Sequence, residues 1–438
     1  MAPEKPPVTR RNGKLPVKVA PRSHPTPVPL SIQSRSPARQ ALSHPDFARY
    51  AYGRFAATLA WQLIDVVIGV QMWELTHKKS YLGYIGLAQF LPFVVLLLPA
   101  GQIADRFDRR LIIALAYGAE LVAAVALLAF TLLGRTEAYV LFFIAALLGV
   151  GRSFWAPAGQ AMVPNLVPKE LLSGAISFNT LMFTIAMFCG PFAAFTLVIG
   201  IDVAYGLAVV LLITAMILII GLKPVRAKSA SEWRWREILG GFVFVWHKKP
   251  VLGAISLDLF AVLLGGVVAL LPAFADEVLH VGPMFVAFLR AAPGVGAALM
   301  AVWLGMRPIQ RHAGTWMFGG VAVFGVCMIT VGLSTSVWMA FVALAIAGAG
   351  DMISVFVRGM VVQLETPDSI RGRVSAVNSM FIGASNELGA FRAGLQAEWM
   401  GVVSSMLWGG ALTLCVVGSY LGLFPQLRKL DRFPEPVH

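Results

Sequence analysis

Among the charged residues inside long apolar runs of this chain, five could do chemistry: Asp65, Arg152, Asp258, Asp351 and Arg358. A charge at the centre of a membrane-spanning helix costs ~2.5–3.5 kcal/mol, so each needs a partner or a task. The chemistry open to such residues is proton exchange. Desolvation favours the neutral acid and a nearby guanidinium the ionised one, so a movement that parts the two changes proton affinity. Asp65, Arg152 and Asp351 each lie about 14 residues, ~21 Å, from one end of their runs, within the membrane interior. Asp258 sits nearer the end of its run and reads as interfacial.

Glu120 and Glu387 read as packing partners rather than transport groups, with Arg392 near enough in sequence to neutralise Glu387, and Arg54 placed to extend its stem to the membrane surface. Trp61, Gln62, Gln89, Phe90, Trp155, Phe260 and Asn386 offer polar or aromatic contacts to an amphipathic ligand, and each would serve equally as packing. Cys189, Cys327 and Cys415 lie in apolar runs without CxxC or Cys/His spacing, which argues for packing and against disulfides or zinc. No P-loop, HExxH motif, catalytic carboxylate pair or metal-ligand cluster is present. The chain is therefore read as a non-enzyme without cofactor or metal.

These residues must be positioned by membrane helices. With 58% hydrophobic residues, 13% charged and a mean hydropathy of +0.76, the chain of 438 residues is too apolar for a soluble protein. Since ~20 apolar residues span the ~30 Å hydrocarbon core, twelve spans are expected. They fall at about 51–74, 81–104, 111–134, 138–161, 174–198 and 202–222, then 251–274, 283–306, 315–334, 337–362, 374–396 and 401–424.

Of 35 lysines and arginines, 27 fall in the tails and one alternate set of turns, and only Lys78, Lys79 and Arg135 in the other set. By the positive-inside rule both termini are expected in the cytoplasm, with the protein in the cell (inner) membrane. The net charge of +13 is thus a topology signal rather than a nucleic-acid footprint.

Residues 1–49, with ten prolines in the first 45, read as a disordered basic cytoplasmic tail. Bundles are expected over 50–222 and 251–424, with a cytoplasmic linker at 223–250 and a second tail at 425–438. Ser229-Ala-Ser-Glu232 is a capping-box pattern that would start an amphipathic linker helix. Trp233, Leu239, Phe242, Val243 and Trp246 would share one side of it, and Arg234, Glu237 and Lys248 would lie elsewhere.

A shift of 199 residues aligns Gly151 with Gly350, Pro168 with Pro367, Leu171 with Ile370, Asn179 with Asn378 and Gly190 with Gly389. The same shift makes Arg152 equivalent to Asp351. The two are expected to face each other across a pseudo-twofold axis, as an alternating pair or as a static one.

The turn after the second span, Gly101-Gln-Ile-Ala-Asp105-Arg106-Phe-Asp-Arg109-Arg110, resembles the signature loop of the major facilitator superfamily, with Asp108 where many members have glycine. In that family the acid pairs with the eleventh helix and latches one conformation, which assigns the latch to Gly101, Asp105, Arg106, Arg109 and Arg110. The second copy, Gly305-Met-Arg-Pro-Ile-Gln-Arg-His312, keeps basic charge without the acid. Gly86-Leu-Ala-Gln-Phe-Leu-Pro92, Ser256-Leu-Asp-Leu-Phe-Ala-Val262, Arg371-Gly-Arg-Val-Ser-Ala-Val-Asn378 and Ser385-Asn-Glu-Leu-Gly389 resemble the branch containing enterobactin exporters and macrolide efflux proteins. Gly190-Pro191 in the fifth span resembles the antiporter motif of the superfamily, without its paired glycines.

The resemblance implies an all-α membrane protein with two six-helix halves related by a pseudo-twofold axis. It also implies that the first helix of each triplet lines a central cavity, which singles out Asp65, Arg152, Asp258, Asp351 and Arg358 as proton-coupling candidates. The expected function is proton-coupled export of a drug, siderophore or metabolite by alternating access. The expected partners are a small-molecule substrate, protons and the bilayer, with no nucleic acid, and the protein is expected to be a monomer. Two other readings stay open: a proton-coupled importer, and a non-transporting membrane sensor of the same fold.

Overall fold

The computed structural model describes residues 37–224, 235–307, 309, 311–367 and 370–431. A short helix α1 (Pro37–Leu42) leads into α2 (Pro45–Thr76), followed by α3 (Lys79–Arg106), α4 (Arg109–Leu132), α5 (Ala138–Met162), α6 (Leu172–Ala193) and α7 (Ile201–Ile220). Beyond α8 (Trp235–His247) come α9 (Lys249–Gly265), α10 (Leu271–Glu277), α11 (Pro283–Met306), α12 (Ala313–Leu333), α13 (Val337–Glu365), α14 (Arg371–Met400), α15 (Val402–Leu423) and α16 (Pro425–Arg428). Among the described residues there is no strand.

Eleven helical stretches are long and apolar enough to cross a membrane, α9 and α10 counting together as one. The expected twelfth, α14, has 30 residues but carries Arg373, Glu387, Arg392 and Glu398 and fails on composition. It packs along α3, α9 and α15, which leaves Arg373, Glu387 and Arg392 half-buried and Glu398 exposed. Large apolar side chains such as Leu115, Phe143, Ile199 and Leu299 are two-thirds or more exposed, as the outer surface of a protein solvated by lipid requires.

The two sets of helices repeat one packing scheme. In the first, α2 packs on α6 and α7, α4 on α5 and α7, and α3 on α5. In the second, α9 packs on α14 and α15, α12 on α13 and α15, and α11 on α13. Between the sets, α3 meets α14 and α6 meets α11, the two contacts a twofold axis would exchange.

Three expectations are corrected. The tail is helical from Pro37, and the first span begins at Pro45 rather than 51, with Pro45 in the first turn where its missing N–H costs nothing. The seventh span is not continuous: α9 stops at Gly265 and the chain re-forms a helix at Leu271, with Gly266 and Pro272 marking the break. The linker helix is present, with Phe242 packed on Phe381 and Val243 and Trp246 exposed. Of the cysteines, only Cys327 is buried; Cys189 and Cys415 are exposed. The capping box at 229–232, Trp233, Arg234 and the side chains of Glu237 and Leu239 lie outside the described residues.

Candidate functional site

A cavity of about 410 Å³ lies where the two sets of helices face each other, within the size range of small-molecule sites. From the first set it is lined by Trp61, Gln62 and Asp65 of α2, Gln89 of α3, Arg152 of α5 and Pro191 of α6. The second set contributes Gly266 to Ala269 at the α9–α10 break, Arg290 of α11, Asp351 of α13, and Asn386 and Glu387 of α14. A broken helix is tolerated at this depth because the freed backbone faces a cavity rather than lipid.

Two ion pairs cross the seam at the cavity. Arg290 Nη2 lies 3.1 Å from Asp65 Oδ2, and its Nη1 donates to the Asp65 backbone carbonyl at 2.9 Å. Arg152 Nη1 lies 3.2 Å from Glu387 Oε1, while its guanidinium packs over the rings of Trp61 (4.8 Å) and Phe93 (5.0 Å). Both pairs are shielded but not sealed, each side chain keeping 16 to 30% exposure. Asp351 lines the same cavity and makes no ion pair with a described residue.

The seam is closed at the end holding the α2–α3 turn. Trp73 Nε1 donates to Asp276 Oδ2 at 3.0 Å, Lys79 Nζ meets Glu277 Oε1 at 2.8 Å, and the Ser80 amide donates to Glu398 Oε2 at 3.0 Å. His77 lies 3.8 Å from Asp276. Just below, glycine lets α3 and α14 touch backbone to backbone: a Cβ on Gly394 would lie 2.8 Å from Lys79 O and from Gly83 N. These contacts and the cavity pairs link α2–α7 to α9–α15.

The expected site residues are thus partly gathered. Asp65, Arg152, Asp351, Trp61, Gln62, Gln89, Asn386 and Pro191 line the cavity, and Gly190 makes room for Gln62, which donates to Met187 O at 3.0 Å. Phe90, Trp155 and Phe260 do not line it. Trp155 instead donates to Glu120 Oε1 at 2.9 Å, and Phe260 packs on Tyr420.

Asp258 is only 4% exposed; it pairs with Arg358 and accepts from Ser354 Oγ at 3.0 Å, apart from the cavity. The expected Arg152–Asp351 pair is replaced by Arg152–Glu387, although Arg152 and Asp351 line the same cavity. Arg392 does not neutralise Glu387. Five residues apart, the two point about 140° apart around the helix, and Arg392 donates instead to Leu263 O at 3.1 Å and to Gln396. Arg54, half-buried, stacks 4.7 Å over Phe183.

In the loop after α3, Asp108 caps α4 by accepting from the Arg110 amide at 3.0 Å, which gives its departure from the motif a local reason. Arg109 donates to Ala104 O at 3.3 Å, a Cβ on Gly101 would meet nothing within 4 Å, and the side chains of Asp105 and Arg371 lie outside the described residues.

Two repeated helix sets around a polar cavity define a multi-pass membrane transporter of the major facilitator fold. The chain belongs to the transmembrane secretion effector family, whose model matches residues 39–436. It is similar to the enterobactin exporter EntS of Escherichia coli O1:K1 / APEC, 24% identical over 402 residues that cover 90% of this chain and 95% of the exporter. Among solved structures, a bacterial homologue of the human lysosomal transporter Spinster, inward-facing and unoccupied, matches with a TM-score of 0.67 at 15% identity, covering 91% and 99% of the two chains. The D-xylose–proton symporter matches with a TM-score of 0.68 at 13% identity, covering 87% and 98%. At these identities the structural likenesses speak for the fold alone.

Proposed function

We propose that this transporter exports a small organic molecule across the inner membrane in exchange for protons, by alternating access, with both termini cytoplasmic. The observation that carries the reading is the charge inventory of the cavity. Asp65 and Glu387 each have an arginine partner from the opposite helix set, and Asp351 has no ion-pair partner among the described residues. A lone acid in a half-buried cavity is the group a proton can occupy and leave without breaking a structural pair.

The two seam pairs have a different task in this reading. They hold the halves together while the cavity faces the other way and must part in each cycle. With the basic turns placed on the cytoplasmic side, the closed end is the outer one. The similarity to an enterobactin exporter favours export over import.

The test begins with a deletion strain grown against antibiotics, siderophores and metabolites to find the compound it tolerates least. Everted vesicles from a complemented strain, energised by respiration, should then accumulate that compound until the proton gradient is collapsed. Uptake by intact cells with none by everted vesicles would overturn export.

A further inference from the structure

Glu120 of α4 is 2% exposed, and its carboxyl group has one hydrogen-bond donor among the described residues, the Trp155 indole. An ionised carboxylate has about four acceptor sites, and leaving most of them empty out of water costs several kcal/mol. Packing does not require an acid here. What the position offers is nearness to Arg152: the glycine before it, Gly151, has no side chain, and Glu120 fills the gap, its Cγ 2.8 Å and its Oε1 3.3 Å from where a Cβ would stand. Trp155, which holds the carboxyl, lies one turn beyond Arg152 on α5. The other titratable groups nearby are Tyr117 on α4 itself and Tyr50 and Arg54 of α2.

We infer that Glu120 is the alternate partner of Arg152, taken up when the outer end opens. This rests on the alternating-access reading. Arg152 belongs to the first helix set and its present partner Glu387 to the second, so separation of the sets at that end carries Glu387 away. An arginine left without a carboxylate in the membrane interior is costly. A change of rotamer brings the guanidinium to Glu120 within its own half. As it arrives, Glu120 gives its proton to the cavity water; as it leaves, Glu387 takes one up. Bound protons and net charge are unchanged, so the swap removes a barrier to opening without consuming the proton carried at Asp351.

The test reads conformation, not transport. Cys189, Cys327 and Cys415 are replaced by alanine and nitroxide labels are placed on the outer turns at Arg135 and Thr335. Electron–electron distance distributions are then recorded for the protein in lipid nanodiscs across pH. In the parent, a short and a long separation are expected. Glu120→Gln, which keeps the acceptor for Trp155, should reduce the long-distance population tenfold or more, and Glu120→Asp should restore part of it.

In an Arg152→Ala background the Glu120→Gln change should have no further effect. An unchanged distribution in Glu120→Gln, or an equal effect in both backgrounds, overturns the inference. A parent that never opens at this end overturns it together with the transport reading, whereas loss of transport with the distance shift intact strikes at the transport reading alone.

Discussion

Asp258 and Arg358 illustrate how differently two buried charges can be used. Each is 4% exposed and neither lines the cavity, so their pairing is read as holding α9 against α13. Removing one partner strands the other: Asp258→Asn or Arg358→Met alone should cost about 3–5 kcal/mol, and the double variant much less. Thermal unfolding in detergent would show this as two large single shifts that fail to add; independent shifts would contradict it. Asp351 is the contrasting case. One proton moving down ~100 mV supplies ~2.3 kcal/mol, which allows a ~50-fold accumulation. Asp351→Asn should therefore bring the gradient-driven accumulation ratio in everted vesicles close to one while leaving facilitated exchange. Accumulation that persists would move the coupling site elsewhere. At this scale the sequence exposed which charges are unusual but not who meets whom. Asp65, Arg152 and Asp351 stand out as lone charges in apolar runs, whereas the partners Arg290 and Glu387 become visible only when α11 and α14 are brought to the seam.

Helices owe their visibility in the sequence to length and hydropathy, and their junctions to turn chemistry. The charged turn at 106–110 and the paired Lys78–Lys79 fall where helices end, with Asp108 as a cap. Hydropathy fails where polarity is local. The run around Gly265-Gly266 stays apolar through the α9–α10 break, so nothing in a window average reports it. In α14 the opposite holds: its charges lower the average, yet Glu387 and Arg392 turn to groups on other helices. The touching backbones of α3 and α14 give a prediction that belongs to this scale. Gly394→Leu places a side chain against Lys79 O and Gly83 N, each 2.8 Å from the Cβ position, and neither backbone can yield cheaply. The outer end should be forced apart, so that a cysteine at Asn386 reacts several-fold faster with an impermeant thiol reagent added from outside. Unchanged reactivity would mean that the α3–α14 contact does not seal that end.

The two helix sets share a packing scheme that the 199-residue repeat anticipates, since equal spacing of helices and turns produces equal neighbours. What a repeat cannot specify is the relation between its two copies, and the cavity, its crossing pairs and its closed end all arise there. That is why the fold was largely legible and the site only in outline. The central claim is that the protein works by parting and rejoining the halves at the end where Trp73, Lys79 and Ser80 meet Asp276, Glu277 and Glu398. The most direct measurement uses Lys79→Cys with Glu277→Cys in a background lacking Cys189, Cys327 and Cys415, bridged by a short bifunctional thiol reagent with a cleavable spacer. In energised everted vesicles, bridging should abolish accumulation of the exported compound and cleavage should restore it, while either single cysteine variant stays active. Undiminished accumulation by bridged protein would contradict the claim that the halves must separate there.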